Sequence, residues 1–379
     1  MKKMHTYCEI LIERLSAAGE GIAHSEGKRL VVPFTAPGDR VIAEIDPVHH
    51  GRAAFIEIIK IIEIVEQSPV RVAAQCPYFG TCGGCSLQHI SYEAQCAEKI
   101  RIVQENLSRI GGFSSNSIVP LDIHPSSPFG YRNRVQFHRK EGKIGFMSRH
   151  TNQISAIDNC IVAYTAIQDR LQKKQLVVPP DKSRWTVYAY RDTFLSEAEK
   201  RRGTVHIGNR ALNIDAGVFF QNNGDLLELL IQEIVHYVQK NALNGRAADF
   251  YGGVGTLSAF LPCSHIDIIE EQRSAIELAK KNIPYAHCFA DTVDHFVRYA
   301  SKTYDLILVD PPRSGLSQPV HAFLVKQSDL QLVYVSCDSA SLARDLKILI
   351  EGGYSIEKFS LYDFYPQTAH IESVVFLKK

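Results

Sequence analysis

No stretch of this chain is both long and apolar enough to cross a bilayer. The most hydrophobic run, FIEIIKIIEIV, is broken by Glu57, Lys60 and Glu63 and falls short of the roughly 20 residues a spanning helix needs. The start, MKKMHTYCEILIERL, lacks the uninterrupted apolar stretch and small-residue cleavage site of a secretory signal, so a cytoplasmic protein without membrane association is expected. Net charge is nearly absent as well. With 42 Lys and Arg against 41 Asp and Glu the balance is +1, so any nucleic-acid surface has to be local rather than global. Repeats and low-complexity tracts are also missing, and 45% hydrophobic with 22% charged residues is the balance of a folded globular chain. At 379 residues, two or three domains are expected.

What is present falls into three blocks. YCEILIERL, KRLVVPF, RVIAEIDPV and RAAFIEIIKII are rich in Ile and Val, and SAAGEG and TAPGD supply turns between them. Strands without an intervening helical pattern predict a small closed β barrel over residues 1–66, either an RNA-binding barrel or a structural cap. Residues 67–215 hold a cysteine cluster and a helix, ISYEAQCAEKIRIVQENLSRI, stopped by Gly111 and Gly112. A basic segment, Tyr131 to His150, follows. It carries Arg132, Arg134, Arg139, Lys140, Lys143 and Arg149 against Glu141 alone, interleaved with Tyr131, Phe137 and Phe146. As a hairpin it would present cations beside rings that stack on unpaired bases, unless those rings pack into the core.

From residue 216 to 379 helix and strand alternate. NNGDLLELLIQEIVHYVQK reads as helix, and RAADFY, HIDIIE, AHCFA, YDLILVD and LQLVYVSC read as buried strands, with HIESVVFLKK as a last one. The fold class expected is α/β, a doubly wound Rossmann-like domain behind the barrel and a central α+β domain.

The first turn of that domain, DFYGGVGTLS, lacks one glycine. Dinucleotide folds use G-x-G-x-x-G, and counting from Gly253 and Gly255 the third position is Ser258. The turn therefore fits S-adenosylmethionine, which brings no phosphates, better than NAD. Glu270 ends the second strand, where a carboxylate accepts ribose hydroxyls, and Asp291 follows the third, a usual place for adenine contacts.

Asp310, in LILVDPPRSGL, and Cys337, in LVYVSCDSASLARD, end the fourth and fifth strands and project toward one crevice. A strand-to-helix junction with Arg344 nearby predicts a lowered thiol pKa and an available thiolate. Carbon 5 of uracil is a poor nucleophile, and thiolate addition at carbon 6 converts the ring to an enolate that can take a methyl group there. A base must then remove the carbon 5 proton, and FYPQTAHIE offers Glu372 beside His370.

Together DPPRSG, YVSCDSASLARD and FYPQTAHIE resemble, in order, the late motifs of the RumA/TrmA family of RNA uridine-C5 methyltransferases, and the resemblance extends over nearly the whole chain. It implies Cys337 as nucleophile, Glu372 as base, and Gln221, Tyr251, Glu270, Asp291 and Asp310 as cofactor contacts. The family often has Asn after the nucleophile, where this chain has Asp338. The N-terminal strands resemble a TRAM barrel, which implies an RNA partner. Because the bacterial tRNA-modifying branch lacks both barrel and cysteine cluster, the resemblance implies a target in 23S ribosomal RNA, with tRNA as the alternative, and a monomeric enzyme. An RNA cytosine-C5 methyltransferase would carry a cysteine in the motif that here reads DPPRSG, and a non-catalytic RNA-binding protein would have no need of Cys337 and Glu372.

Nine cysteines are an odd count for a reducing compartment, so clustered ones point to metal or catalysis. CPYFGTCGGC holds Cys76, Cys82 and Cys85 and lacks the second pair of a zinc ribbon. A four-thiolate site needs a fourth ligand, for which Cys96 and Cys160 are candidates. The family resemblance implies Cys160 and a structural [4Fe-4S] cluster, with zinc as runner-up.

Overall fold

The computed structural model describes residues 6–25, 27–45, 55–114, 121–149, 151–300 and 303–379. Residues 46–48 and 52–54 of the expected barrel strands, and His150 of the basic segment, lie outside the described residues. The chain forms two compact units. One comprises Met1–Ile102, Phe146–Ser155 and Pro366–His370, and the other Val103–Gly145, Ala156–Tyr365 and Ile371–Lys379. Among the described residues no helix is long and apolar enough to cross a membrane.

In the first unit six strands pair in the order Thr6–Leu11, Arg40–Ile45, Phe55–Glu66, Lys28–Val32, Gly21–Ser25, Arg14–Leu15. Alternation turns Ile10, Ala23, Leu30, Val32, Val41 and Ala43 into one small core. Register shifts between the second and third of these strands mark bulges, which bend a sheet this short. Asp39, fully buried, ties the turn that follows: it accepts from the amides of Ala36 (2.6 Å) and Ser68 (2.9 Å) and from Arg71 Nε (3.1 Å). Burial pushes its pKa up, but those donors hold it below the usual carboxylate value.

The second unit holds the first strand and the turn of the basic hairpin, as far as Gly145. Its two-residue turn is Glu141 (φ 53°) and Gly142 (φ 76°), a left-handed pair whose twist matches the flanking strands. Strand Arg134–Lys140 pairs with Arg184–Tyr190, which sets Phe137 opposite Trp185 with ring centroids 5.7 Å apart and both rings fully buried. Tyr131 is 4% exposed. The expectation that these rings stand beside the cations for base stacking is thus corrected: strand alternation spends Phe137 on the core, and Tyr131 is spent there too.

Eight strands build the main sheet, in the order His287–Ala290, His265–Glu270, Arg246–Phe250, Leu306–Val309, Gln331–Ser336, Glu372–Lys378, Ser355–Tyr362, Asp122–His124. The first five run parallel, as their continuous apolar sequences predict. Glu372–Lys378 is antiparallel to both of its neighbours, filling the gap that the chain skips on first leaving Gln331–Ser336. Helix Gly224–Lys240 covers part of this sheet. Asn223 caps it by accepting from Leu226 N, Asp225 and Lys240 complement its dipole, and Leu226, Leu227, Leu230, Ile231, Ile234 and Val238 form its buried stripe. Each such side chain contributes about 1.5–3 kcal/mol when fully buried.

Candidate active site

The expected site residues of the second unit gather at the carboxyl end of the parallel strands, and the register explains how. Antiparallel pairing of Gln331–Ser336 with Glu372–Lys378 ends at Ser336 opposite Ser373. One step further sets Cys337, just past one strand, across from Glu372, which begins the other. Asp310 follows Val309 on the neighbouring parallel strand, itself paired with Tyr334.

Glu372 is 4% exposed, and burial together with the Asp310 carboxylate raises its pKa well above the usual value, while Arg313 pulls the other way. Asp310 is pushed up to about 7 by burial and by Asp249. Asp249 is itself raised to about 7 by burial, although Ser258 Oγ donates to it at 2.5 Å. Cys337 rises to about 12, through burial first and then Glu372, Asp310 and Asp338, with Arg313 opposing. The expected lowered thiol pKa is therefore corrected. Arg344 turns away to Asp345 (2.7 Å) and to the carbonyls of Ser314 (2.8 Å) and Leu316 (3.4 Å). Asp338 caps helix Ser339–Glu351 by accepting from Ser341 N at 2.8 Å. An Asn at this position would cap equally well; the carboxylate adds a negative charge beside the thiol.

The cofactor loop is formed as its glycines require. Gly253 takes φ +55° and its amide donates to Glu270 Oε2 at 3.2 Å, while Gln272 N donates to Oε1 at 2.7 Å. Two amides orient the carboxylate at the strand end and leave lone pairs for vicinal hydroxyls. Tyr251, just before the glycines, also takes a left-handed φ of 63°. Gln221 lies two residues before the helix cap Asn223, and its neighbour Asn222 donates to Tyr365 Oη at 3.1 Å. Tyr365 is electrostatically coupled to Glu372, Arg132 and Cys337, which brings it to the same crevice. Asp291 is already engaged: it accepts from Tyr299 Oη (2.8 Å) and Thr292 N (2.8 Å) and pairs with His295 (2.7 Å). Arg313, Asn222 and Tyr365 are contributors that motif reading passed over. Of these, Arg313 had a visible signal, as the cation of a strand-end loop.

The cysteine cluster lies in the first unit. Cys76 N donates to Gln88 Oε1 (3.1 Å), Cys82 N to Tyr78 O (2.9 Å), and Gly84 N to Cys82 Sγ (3.4 Å). Cys160 belongs to the second unit, its amide bonded to Asn159 Oδ1 at 2.8 Å. Among the described residues no group of three or more His, Cys, Asp or Glu side chains comes together to hold a metal ion. The expected [4Fe-4S] ligand set has no counterpart there, and no step below runs through it.

Residues 293–379 match the family model described as tRNA (Uracil-5-)-methyltransferase, and residues 8–70 match the tRNA (uracil(54)-C(5))-methyltransferase TRAM domain. An uncharacterized RNA methyltransferase of Aquifex aeolicus is 28% identical over 428 aligned positions, covering 98% of each chain. Another, of Bdellovibrio bacteriovorus, is 29% identical over 386, covering 97% of this chain and 94% of its own. The crystal structure of the Pyrococcus abyssi tRNA (uracil-54, C5)-methyltransferase with S-adenosyl-L-homocysteine superposes with a TM-score of 0.72 at 24% identity, covering 99% of this chain and all of that one. The fold and these matches define an S-adenosylmethionine-dependent RNA methyltransferase. Within that class the matched segments, residues 8–70 and 293–379, are similar to RNA uracil-C5 methyltransferases.

Proposed function

We propose that this protein methylates carbon 5 of a uridine in RNA, with Cys337 as nucleophile and Glu372 as base. The supporting observation is the placement of Cys337 across from Glu372 beyond the Ser336–Ser373 pair, at the strand ends where open α/β sheets bind ligands. Cys337 gives up its thiol proton to solvent, the thiolate Sγ adds to carbon 6, and the ring's C5–C6 electron pair moves to carbon 5, which takes the methyl group. S-adenosylmethionine, when bound, supplies a methyl group on a cationic sulfur and leaves as S-adenosylhomocysteine. Glu372 takes the carbon 5 proton, and the Sγ–C6 bond breaks as the ring double bond re-forms. Burial and the neighbouring carboxylates push the thiol pKa up to about 12 and so disfavour the thiolate. A cation brought into the crevice would favour the thiolate directly and oppose the carboxylates that raise its pKa. Gln221, Tyr251, Glu270 and Asp310 hold the cofactor in this reading, with Asp291 beside the adenine; residues 1–66 and 67–215 grip the RNA and 216–379 perform the transfer.

RNA containing 5-fluorouridine tests the chemistry. A covalent complex that survives denaturation is expected with the native protein and not with Cys337→Ala; adduct formation by Cys337→Ala would overturn the assignment. For the target, the sequence favours 23S ribosomal RNA, whereas both matching family models carry tRNA names. One of those models is the barrel itself, so the barrel no longer argues for the ribosome. Mapping 5-methyluridine in ribosomal and transfer RNA from cells with and without the gene separates the two. A [4Fe-4S] cluster on Cys76, Cys82, Cys85 and Cys160 rests on spacing and resemblance alone. Stoichiometric iron and sulfide in anaerobically purified protein would establish it, and their absence would remove it.

A further inference from the structure

Behind the crevice lies a second charged cluster that the reaction does not use. Asp345, on helix Ser339–Glu351, has no exposed surface and yet accepts from four sides. Oδ2 takes the Leu316 amide (2.8 Å) and Tyr334 Oη (2.7 Å), while Oδ1 takes Arg344 Nε (2.9 Å) and Nη2 (2.7 Å) and lies 3.2 Å from His321 Nε2. Arg344 then reaches on to the carbonyls of Ser314 and Leu316. Both side chains therefore end on the loop that follows Asp310. That loop is tightly turned: Gly315 N donates to Pro312 O at 2.8 Å, and Gly315 takes φ +76°. A Cβ there would lie 2.4 Å from Asp345 Oδ2 and 2.6 Å from Arg344 Nη2, so only glycine lets the strap close.

The loop carries Arg313. Its guanidinium acts as a positive group on Cys337, against Glu372, Asp310 and Asp338, and it also opposes the charge of Asp310 at Glu372. A long side chain on an irregular loop holds a fixed field only if its backbone is fixed. We propose that Asp345 and Arg344 are positioning residues: they strap Pro311–Leu316 to the following helix so that Arg313 is held where it acts on Cys337 and Glu372. They touch no reacting atom. The role rests on the nucleophile and base assigned above, but its test needs no RNA.

That test is the alkylation rate of Cys337 by iodoacetamide at pH 9, read by mass spectrometry of the Cys337 peptide in the full-length protein. Arg313→Gln should slow it about tenfold, one pKa unit of lost thiolate. Asp345→Asn should slow it comparably, and the double variant should be no slower than Arg313→Gln alone, because Asp345 acts through Arg313. A support of the fold in general would instead loosen the crevice and speed alkylation, or multiply with Arg313→Gln, and either result would overturn the proposal. If Asp345→Asn does not fold, Arg344→Gln replaces it: this keeps the Leu316 and Tyr334 bonds to Asp345, removes the strap to Ser314 and Leu316, and should show the same non-additivity. Failure of the uridine-C5 reading would appear separately, as a 5-fluorouridine adduct that survives Cys337→Ala.

Discussion

Asp345 and Glu372 are both buried carboxylates within one unit, and they are treated in opposite ways. Asp345 is surrounded by donors, and although burial pushes its pKa up, hydrogen bonds led by His321, the Leu316 amide and Tyr334 hold it below the usual value. Glu372 faces Asp310 with Arg313 opposing, so burial and Asp310 hold its pKa up and make its carboxylate a stronger base. The first arrangement builds structure, because a satisfied buried charge fixes everything that bonds to it. The second keeps a carboxyl ready to exchange a proton, at a cost in stability. Asp39 in the first unit belongs with Asp345, and Asp249 and Asp310 belong with Glu372.

The contrast breaks first at the thiol. Cys337→Ala should abolish both the 5-fluorouridine adduct and methyl transfer. Glu372→Gln should lower turnover by about 10²–10⁴ while a methylated covalent intermediate accumulates, since addition survives and proton removal does not. Denaturing gels with labelled cofactor read both, and turnover by Glu372→Gln at the native rate would place the base elsewhere.

Stability should split the two groups in opposite directions. Asp345→Asn leaves Arg344 without a counter-charge and should cost roughly 3 kcal/mol in urea unfolding at pH 7.5. Asp310→Asn should be neutral or stabilising, because it removes an ionised form that burial disfavours. The pH dependence follows the same division. Asp310 has a folded pKa of about 7 against an ordinary 3.8, so between these values the folded state binds more protons and stability falls as pH rises. Asp345, with its lowered pKa, contributes stability above the ordinary carboxylate range and loses it as pH falls below. Cofactor-free protein should therefore lose about 2–4 kcal/mol from the Asp249–Asp310 pair between pH 4.5 and 8, and Asp310→Asn should flatten that slope. The smallest effect belongs to the cap. Asp338→Asn keeps the bond to Ser341 N, removes one negative charge from beside Cys337, and should speed its alkylation about twofold to fivefold.

Much of this was legible in the residues. The parallel strands announced themselves as continuous apolar runs, the glycines of DFYGGVGTLS marked the tight turn after the first of them, and helix Tyr92–Arg109 ends before Gly111 and Gly112 as expected. Arg344 was misread because sequence proximity to Cys337 says nothing about where a long side chain points. Phe137 and Tyr131 were misread because a ring in a charged strand looks available until alternation and the opposing Trp185 claim it. Strand Ser355–Tyr362 escaped notice because SIEKFSLY mixes polar and apolar residues, being buried only over its second half.

The sequence alone determined the kinds of chemistry: a glycine turn without phosphate signals, a strand-end cysteine, a carboxylate before the last strand, and a local excess of cations in an otherwise neutral chain. Those are properties of residue type and local order, which the chain carries whether or not it is folded. Tertiary structure decided which charges meet. Antiparallel insertion of Glu372–Lys378 set Glu372 across from Cys337, and bonds from Asp345 and Arg344 tie down the loop of Arg313. Electrostatic energy depends on distance and on exclusion of water, and neither exists until the strands are in register and the crevice has closed around them.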